Sequence, residues 1–226
     1  MSEIVKPTER VAVPIHTKPI VVQGSRVFTP MEYVWIRRYL PTEIHKMFLD
    51  GLLLTGMRGV EWAMFVEQDF TWFDQTRRKI TIPPEAVKKV KVKIKQRDVI
   101  LSDVGMVAIN KLITLQDSRS DNNLLKMPLR SSWGTTLRRA AYKARIPDPD
   151  TIVPKSTRKT WESWLILTHP NNAIQITMSM GHDDTTAIRH YLGMGWSLNE
   201  FVEAREYTRG FIQERPDIFR SDGSAK

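Results

Sequence analysis

Several short groups of residues in this chain have types and spacings that suit the handling of an oxyanion. Gly56-Met57-Arg58-Gly59 sets an arginine just past an apolar run. Lys155-Ser156-Thr157-Arg158 sets two cations at i and i+3 where a helix is expected to begin, and a helix N-terminus already attracts anions. Gly181-His182 places a histidine on a helix-terminating glycine, and Tyr191 follows nine residues later. Lys88, Lys89, Lys91, Lys93 and Lys95 crowd a short alternating stretch. Taken singly, each group has an ordinary explanation. A lone Arg58 is more often a surface or paired cation. A tyrosine in an amphipathic helix packs, a histidine after glycine caps, and a lysine-rich hairpin keeps a sheet edge soluble.

These groups need elements to position them. Thr29-Pro30-Met31-Glu32 reads as a helix start, with Thr as N-cap, Pro at the first position and Glu closing a capping box. A second helix is expected after Pro41-Thr42, through Ile44, Phe48, Leu52 and Leu53 toward Gly56. Strand signals follow: Phe70 and Trp72 before a turn at Asp74-Gln75, then Lys79–Ile82, then Val90–Leu101. In the last run Val90, Val92 and Ile94 fall on one face and Lys89, Lys91, Lys93 and Lys95 on the other. From there the chain reads as helical. Helices are expected over Val104–Leu115 with Ser102 or Asp103 as cap, from Ser131 or Ser132 to near Arg145, and from Pro154 through Trp161, Trp164 and Leu165 to His169-Pro170. Others are expected from Asn171 or Asn172 to Gly181, from Thr185 or Thr186 to Gly193, and from the capping box Ser197-Leu198-Asn199-Glu200 over 198–214, ending before Pro216. Trp161 and Trp164 share a helix face and are expected in the core, as are Met178 and Met180.

Composition narrows the classes. With 226 residues and 41% hydrophobic content, seven of them Trp and eight Phe, the chain can bury a real core. The absence of cysteine excludes disulfides, a thiolate nucleophile and cysteine zinc sites, and fits a reducing compartment. No apolar run is long enough to span a bilayer, and the N-terminus has no secretion pattern, so a cytoplasmic location is expected. The net charge of +9 is unevenly placed. Residues Arg77–Arg97 hold nine basic residues and one acid, and Lys126–Lys159 hold nine and two. Everything else is net acidic, so two cationic segments sit on an acidic body, a pattern that fits phosphate binding.

Taken in order, the oxyanion-suited groups resemble the catalytic set of the tyrosine recombinase (phage-type integrase) family. Thr55-Gly56-Met57-Arg58-Gly59-Val60-Glu61 is similar to the family's first box. Gln96-Arg97-Asp98-Val99-Ile100-Leu101-Ser102 is similar to the end of its hairpin, and Lys155-x-x-Arg158 falls where the family commonly has His-x-x-Arg. Gly181-His182 through Tyr191 resembles the last box, the most specific of the four. The resemblance runs from about Thr29 to Trp196. It implies that Tyr191 attacks a DNA phosphodiester to form a 3′-phosphotyrosine and release a 5′-hydroxyl. Arg58 and Arg158 would hold the non-bridging oxygens, and His182 would hydrogen-bond the phosphate or act as base. A hairpin lysine, Lys91 or Lys93, would protonate the leaving oxygen. No metal or other cofactor is implied. Lys155 departs from the usual histidine. It would contact phosphate but is a poor base at neutral pH, a form similar to some archaeal and viral integrases. The short stretch before the first helix is a further departure, since such enzymes usually carry a separate core-binding domain there.

The expected fold is α+β, mainly α: a helical catalytic domain over residues 29–196 with a small antiparallel sheet of two or three strands at one edge. Residues 1–28 read as an extended or partly disordered arm. Residues 197–226 read as a C-terminal helix and polar tail, packed in cis or exchanged between subunits. The resemblance implies a site-specific DNA recombinase or integrase. A type IB topoisomerase-like nick-and-reseal enzyme and a non-catalytic DNA-binding protein of the same fold are the alternatives. The implied partners are double-stranded DNA and further copies of the chain, as a tetramer on DNA, with no membrane.

Overall fold

Four of the eight described α-helices begin where the sequence supplies a Ser or Thr cap. The computed structural model describes residues 19–86, 96–118, 128, 130–181 and 194–211. Helix α1 spans Pro30–Arg38 behind the Thr29 capping box, and α2 spans Glu43–Thr55 behind Thr42. Helix α3 (Gly59–Glu67) follows at once, and sequence reasoning missed it because its N-cap is an arginine, Arg58. Helix α4 (Asp103–Asp117) starts on Ser102, α5 spans Arg130–Lys143, and α6 spans Ser156–Thr168. A short turn of 3₁₀ helix leads into α7 (Ala173–Ser179). Helix α8 (Leu198–Thr208) opens on the Ser197–Glu200 capping box. It is shorter than the expected 198–214: the chain leaves the helix at Arg209 and Gly210 takes a left-handed φ of 74°. The expected helix from Thr185 or Thr186 lies outside the described residues.

The strands form two small antiparallel sheets. One joins β1 (Val21–Val22) to β2 (Ser25–Arg26). Residues 19–28 are thus a hairpin seated on the core, with Val27 and Phe28 fully buried. Strand β3 (Phe73–Asp74) pairs with β4 (Lys79–Ile82), and β4 pairs with β5 (Arg97–Ile100) in the register Ile80 to Val99 and Ile82 to Arg97. The mainly helical body with a three-stranded sheet at one edge is the architecture expected from the sequence. No helix among the described residues is long and apolar enough to cross a membrane.

Helix α6 is the central element. It packs on α2, α7 and α8, while α2 packs on α4. Trp161, Trp164, Leu165 and Ile166 are all at or below 1% exposure, so nearly the whole circumference of α6 is covered. Polar handles fix the hairpin onto it: Trp164 Nε1 donates to the Phe28 carbonyl at 3.0 Å, and the Phe28 N–H donates to Thr160 Oγ1 at 2.8 Å. Tyr33 of α1, Trp164 of α6 and Tyr207 of α8 meet with centroids 5.1–6.0 Å apart, including two edge-on contacts that favour aromatic rings. The six-membered ring of Trp62 on α3 occupies the space beside Gly51 of α2, where a Cβ would overlap the indole. Replacing Gly51→Ala should therefore destabilise the fold by about 1–3 kcal/mol through overpacking. An unchanged midpoint in urea-induced unfolding would contradict this packing.

Candidate active site

The turn between α2 and α3 is built to present Arg58. Thr55 ends α2, its hydroxyl donating to the Gly51 carbonyl at 2.6 Å and accepting from the Met57 N–H at 3.1 Å. Gly56 then takes the left-handed conformation (φ 61°). Only glycine suits this position on two grounds. The φ is left-handed, and a Cβ would stand 2.5 Å from Met180 Cε and 2.8 Å from Trp161 Cδ1. Two residues on, Arg58 caps α3 with extended backbone (φ −73°, ψ 150°). Its N–H donates to Glu61 Oε2 at 2.7 Å, and its Nη1 donates to Glu61 Oε1 at 2.8 Å.

Glu61 is the hub. It has no exposure to solvent, yet two arginines reach it. Arg97, at the start of β5, donates from Nη2 at 2.5 Å. Burial alone would raise the Glu61 carboxyl. Arg97, the Arg58 N–H, Arg158 and Arg58 outweigh it and hold the group below the usual carboxylate range.

Arg158 completes the cluster from the first turn of α6. Nη1 donates to the Gly56 carbonyl at 2.6 Å, and the residue is only 7% exposed. Its Nη2 is buried and has no hydrogen-bond partner among the described residues. Burial, with Arg97 and Arg58 as like charges nearby, pushes its pKa down to about 9, against the opposing pull of Glu61 and Glu162. The guanidinium is still protonated at neutral pH. Glu61 and Glu162 only partly offset its burial, and its Nη2 is a donor still to be matched.

The structure thus brings Arg58 and Arg158, separated by 100 positions in sequence, around one carboxylate. Lys155 is the N-cap of α6, exposed, three residues from Arg158. Lys91, Lys93, His182 and Tyr191 lie outside the described residues. Gly181, which precedes His182, is described and left-handed (φ 69°). Sequence reasoning singled out neither Glu61 nor Arg97 as a functional residue. Arg97 did carry a signal. It shares the inward face of β5 with Val99 and, beyond the strand end, Leu101, all of them buried, and a charge at an inward strand position needs a buried partner. Beside Arg58 opens a cleft of about 180 Å³ lined by Phe48, Leu52, Val60, Trp133 and Pro154. Among the described residues no group of three or more His, Asp or Glu side chains is placed to hold a metal ion.

No family model matches the chain, and no curated protein matches it either. Solved structures do. A XerA recombinase crystal structure superposes with a TM-score of 0.52 at 17% identity, over 87% of this chain and 66% of that one. The Tn1549 transposon integrase in complex with circular intermediate DNA gives 0.53 at 17% identity, over 84% and 66%. The same integrase with transposon right end DNA gives 0.57 at 19%, over 85% and 66%. The chain spans just under two thirds of the length of each of these neighbours. At these identities the likeness is one of fold: the chain has the fold of these recombinase and integrase structures.

The charge imbalance has a measurable consequence. Sulfate or inorganic phosphate should raise the Tm above that in chloride at matched ionic strength, because an oxyanion can accept from the unmatched Nη2 donor of Arg158. Arg158→Met should abolish that difference. An equal rise in the variant, measured by differential scanning fluorimetry, would place the anion elsewhere.

Proposed function

We propose that this chain is a site-specific DNA recombinase or integrase that cuts and rejoins DNA through a 3′-phosphotyrosine on Tyr191. The observation that supports the reading is the arginine cluster. Two guanidinium groups (Arg58 and Arg97) bond a single buried carboxylate, Glu61, and a third, Arg158, lies close enough to act on it electrostatically with its Nη2 donor left over. A phosphodiester undergoing in-line displacement spreads negative charge over its non-bridging oxygens. Preorganised donors in a buried site stabilise that charge without reorganisation. Arg158 and the outer edge of Arg58 are the groups assigned to those oxygens. Arg58 keeps 30% of its side chain exposed, so it can reach a substrate that the buried Arg97 cannot. The DNA held by the integrase neighbours agrees with a nucleic-acid substrate.

Tyr191 Oη attacks phosphorus and the 5′-oxygen leaves, so the bond energy is kept in the phosphotyrosine and the reverse attack by a 5′-hydroxyl reseals the strand. His182 hydrogen-bonds the phosphate or takes the tyrosine proton. Lys91 or Lys93 supplies the proton to the leaving oxygen. Lys155, exposed at the mouth of α6, contacts the DNA backbone. Strand exchange needs paired sites, and the chain acts as a tetramer on DNA.

A nicked suicide duplex should trap a covalent adduct that survives denaturing electrophoresis. Tyr191→Phe should form none. Arg158→Ala should lower the rate of adduct formation by on the order of 10²–10³ while duplex affinity changes little, since one positioned donor carries transition-state charge. Wild-type protein that yields no adduct, or Tyr191→Phe that yields as much, would sink the reading.

A further inference from the structure

Arg97 behaves differently from the other two arginines. Its side chain is 7% exposed, and both ends of its fork are engaged. Nη2 donates to Glu61 Oε2 at 2.5 Å and Nη1 to the Ser179 carbonyl at 2.9 Å. Both terminal nitrogens are therefore committed to the protein, and the one donor left over, Nε, is buried. What it does is join three parts of the chain that are far apart in sequence. These are β5, the Glu61 carboxylate that holds both the backbone and the side chain of Arg58, and the C-terminal carbonyl of α7. The two Glu61 oxygens are divided: Oε1 accepts from Arg58 Nη1, while Oε2 accepts from the Arg58 N–H and from Arg97. Among the described residues, Arg58 and Arg97 are the two that hydrogen-bond this carboxylate and so fix its rotation. The Arg97 chain also fills the space beside Gly181, where a Cβ would lie 3.6 Å from its Cδ.

We infer that Arg97 is a positioning residue, resting on the reading of this cluster as a phosphate site. By clamping Glu61 against the end of α7, it sets the direction of Arg58 relative to Arg158, so that both face one oxyanion. The planar fork is the feature required, because a lysine can hold Glu61 or the Ser179 carbonyl but not both in the same plane.

The test uses the full chain with inorganic sulfate as one probe and the nicked duplex as the other. Arg97→Lys should fold, bind duplex DNA within about threefold of wild type and need about tenfold more sulfate for half of the Tm rise, the worth of one misaligned charge-assisted hydrogen bond. Its adduct rate should fall about 10- to 100-fold, as expected for catalytic groups displaced by a fraction of an ångström. Arg97→Met should be worse on both counts, and where it fails to fold, Arg97→Lys carries the test. A purely structural role lowers the Tm without sulfate and leaves the sulfate increment intact. An unchanged sulfate response in Arg97→Lys overturns the inference whatever the adduct rate. If wild-type protein forms no adduct at all, the recombinase reading fails while the sulfate titration still decides the role of Arg97.

Discussion

A carboxylate with no exposure to solvent cannot stay ionised unless its surroundings supply the hydration it has lost. For Glu61 those surroundings are two arginine side chains and one backbone N–H. The requirement runs both ways. Arg97 is itself buried, and its burial is tolerated because Glu61 and the Ser179 carbonyl accept its donors. Removing either member of such a pair leaves a buried uncompensated charge, at a cost on the order of 3–5 kcal/mol. One interaction therefore ties the start of α3, the start of β5 and the end of α7, and the geometry of the cluster depends on it.

Arg158 would move out to water if it could, given how far its pKa is displaced by burial and like charge. The fold prevents it. Arg158 sits three residues before Trp161 on a helix whose side chains are covered on nearly every face. Its Nη1 is held by a carbonyl that exists in that position only because Gly56 turns left-handed beneath Met180 and Trp161. A well-packed hydrophobic element is thus what keeps a cation in an unfavourable place.

Much of this was legible in the sequence, for identifiable reasons. Helices whose first residues satisfy their own N–H groups, at Thr29, Thr42, Ser102 and Ser197, appear where the capping chemistry puts them. Strand β4 and its neighbours follow from alternation. Helix α3 was not legible, because its cap is an arginine whose partner is the buried Glu61 and not the usual Ser, Thr or Asp. The placing of Arg58 beside Arg158 could not be read from periodicity either. It depends on α2 packing against α6, a contact between segments about a hundred residues apart. The pairing of Arg97 with Glu61 is likewise non-local, and only the alternation of β5 hinted that this arginine points inward.

The structure also changes the meaning of the cationic segments. In the first, the described cations have carboxylate partners: Arg77 with Asp74, Arg78 with Asp103, Lys79 with Asp98, and Arg97 with Glu61. The Arg77 pair, at 3.8 Å and exposed, is weak, but the other three are close. Among the described residues of that segment, two pairs lie within the sheet region (Arg77–Asp74, Lys79–Asp98) and two tie it to the helical body (Arg78–Asp103, Arg97–Glu61). In the second segment several donors go to neutral groups, although Glu162 acts on both Arg158 and Lys159 and Glu61 on Arg158. Arg138 reaches the Ile152 carbonyl and Thr135, Lys159 reaches the Val22 carbonyl and Gln23, and Arg158 reaches the Gly56 carbonyl. A carbonyl satisfies a donor without cancelling its charge, whereas a bonded carboxylate cancels it. Segment-level charge arithmetic treats the two stretches as equals. The described partners separate them: the sheet cations Arg78, Lys79 and Arg97 sit against close carboxylates, whereas donors of Arg138, Arg158 and Lys159 are held by backbone carbonyls.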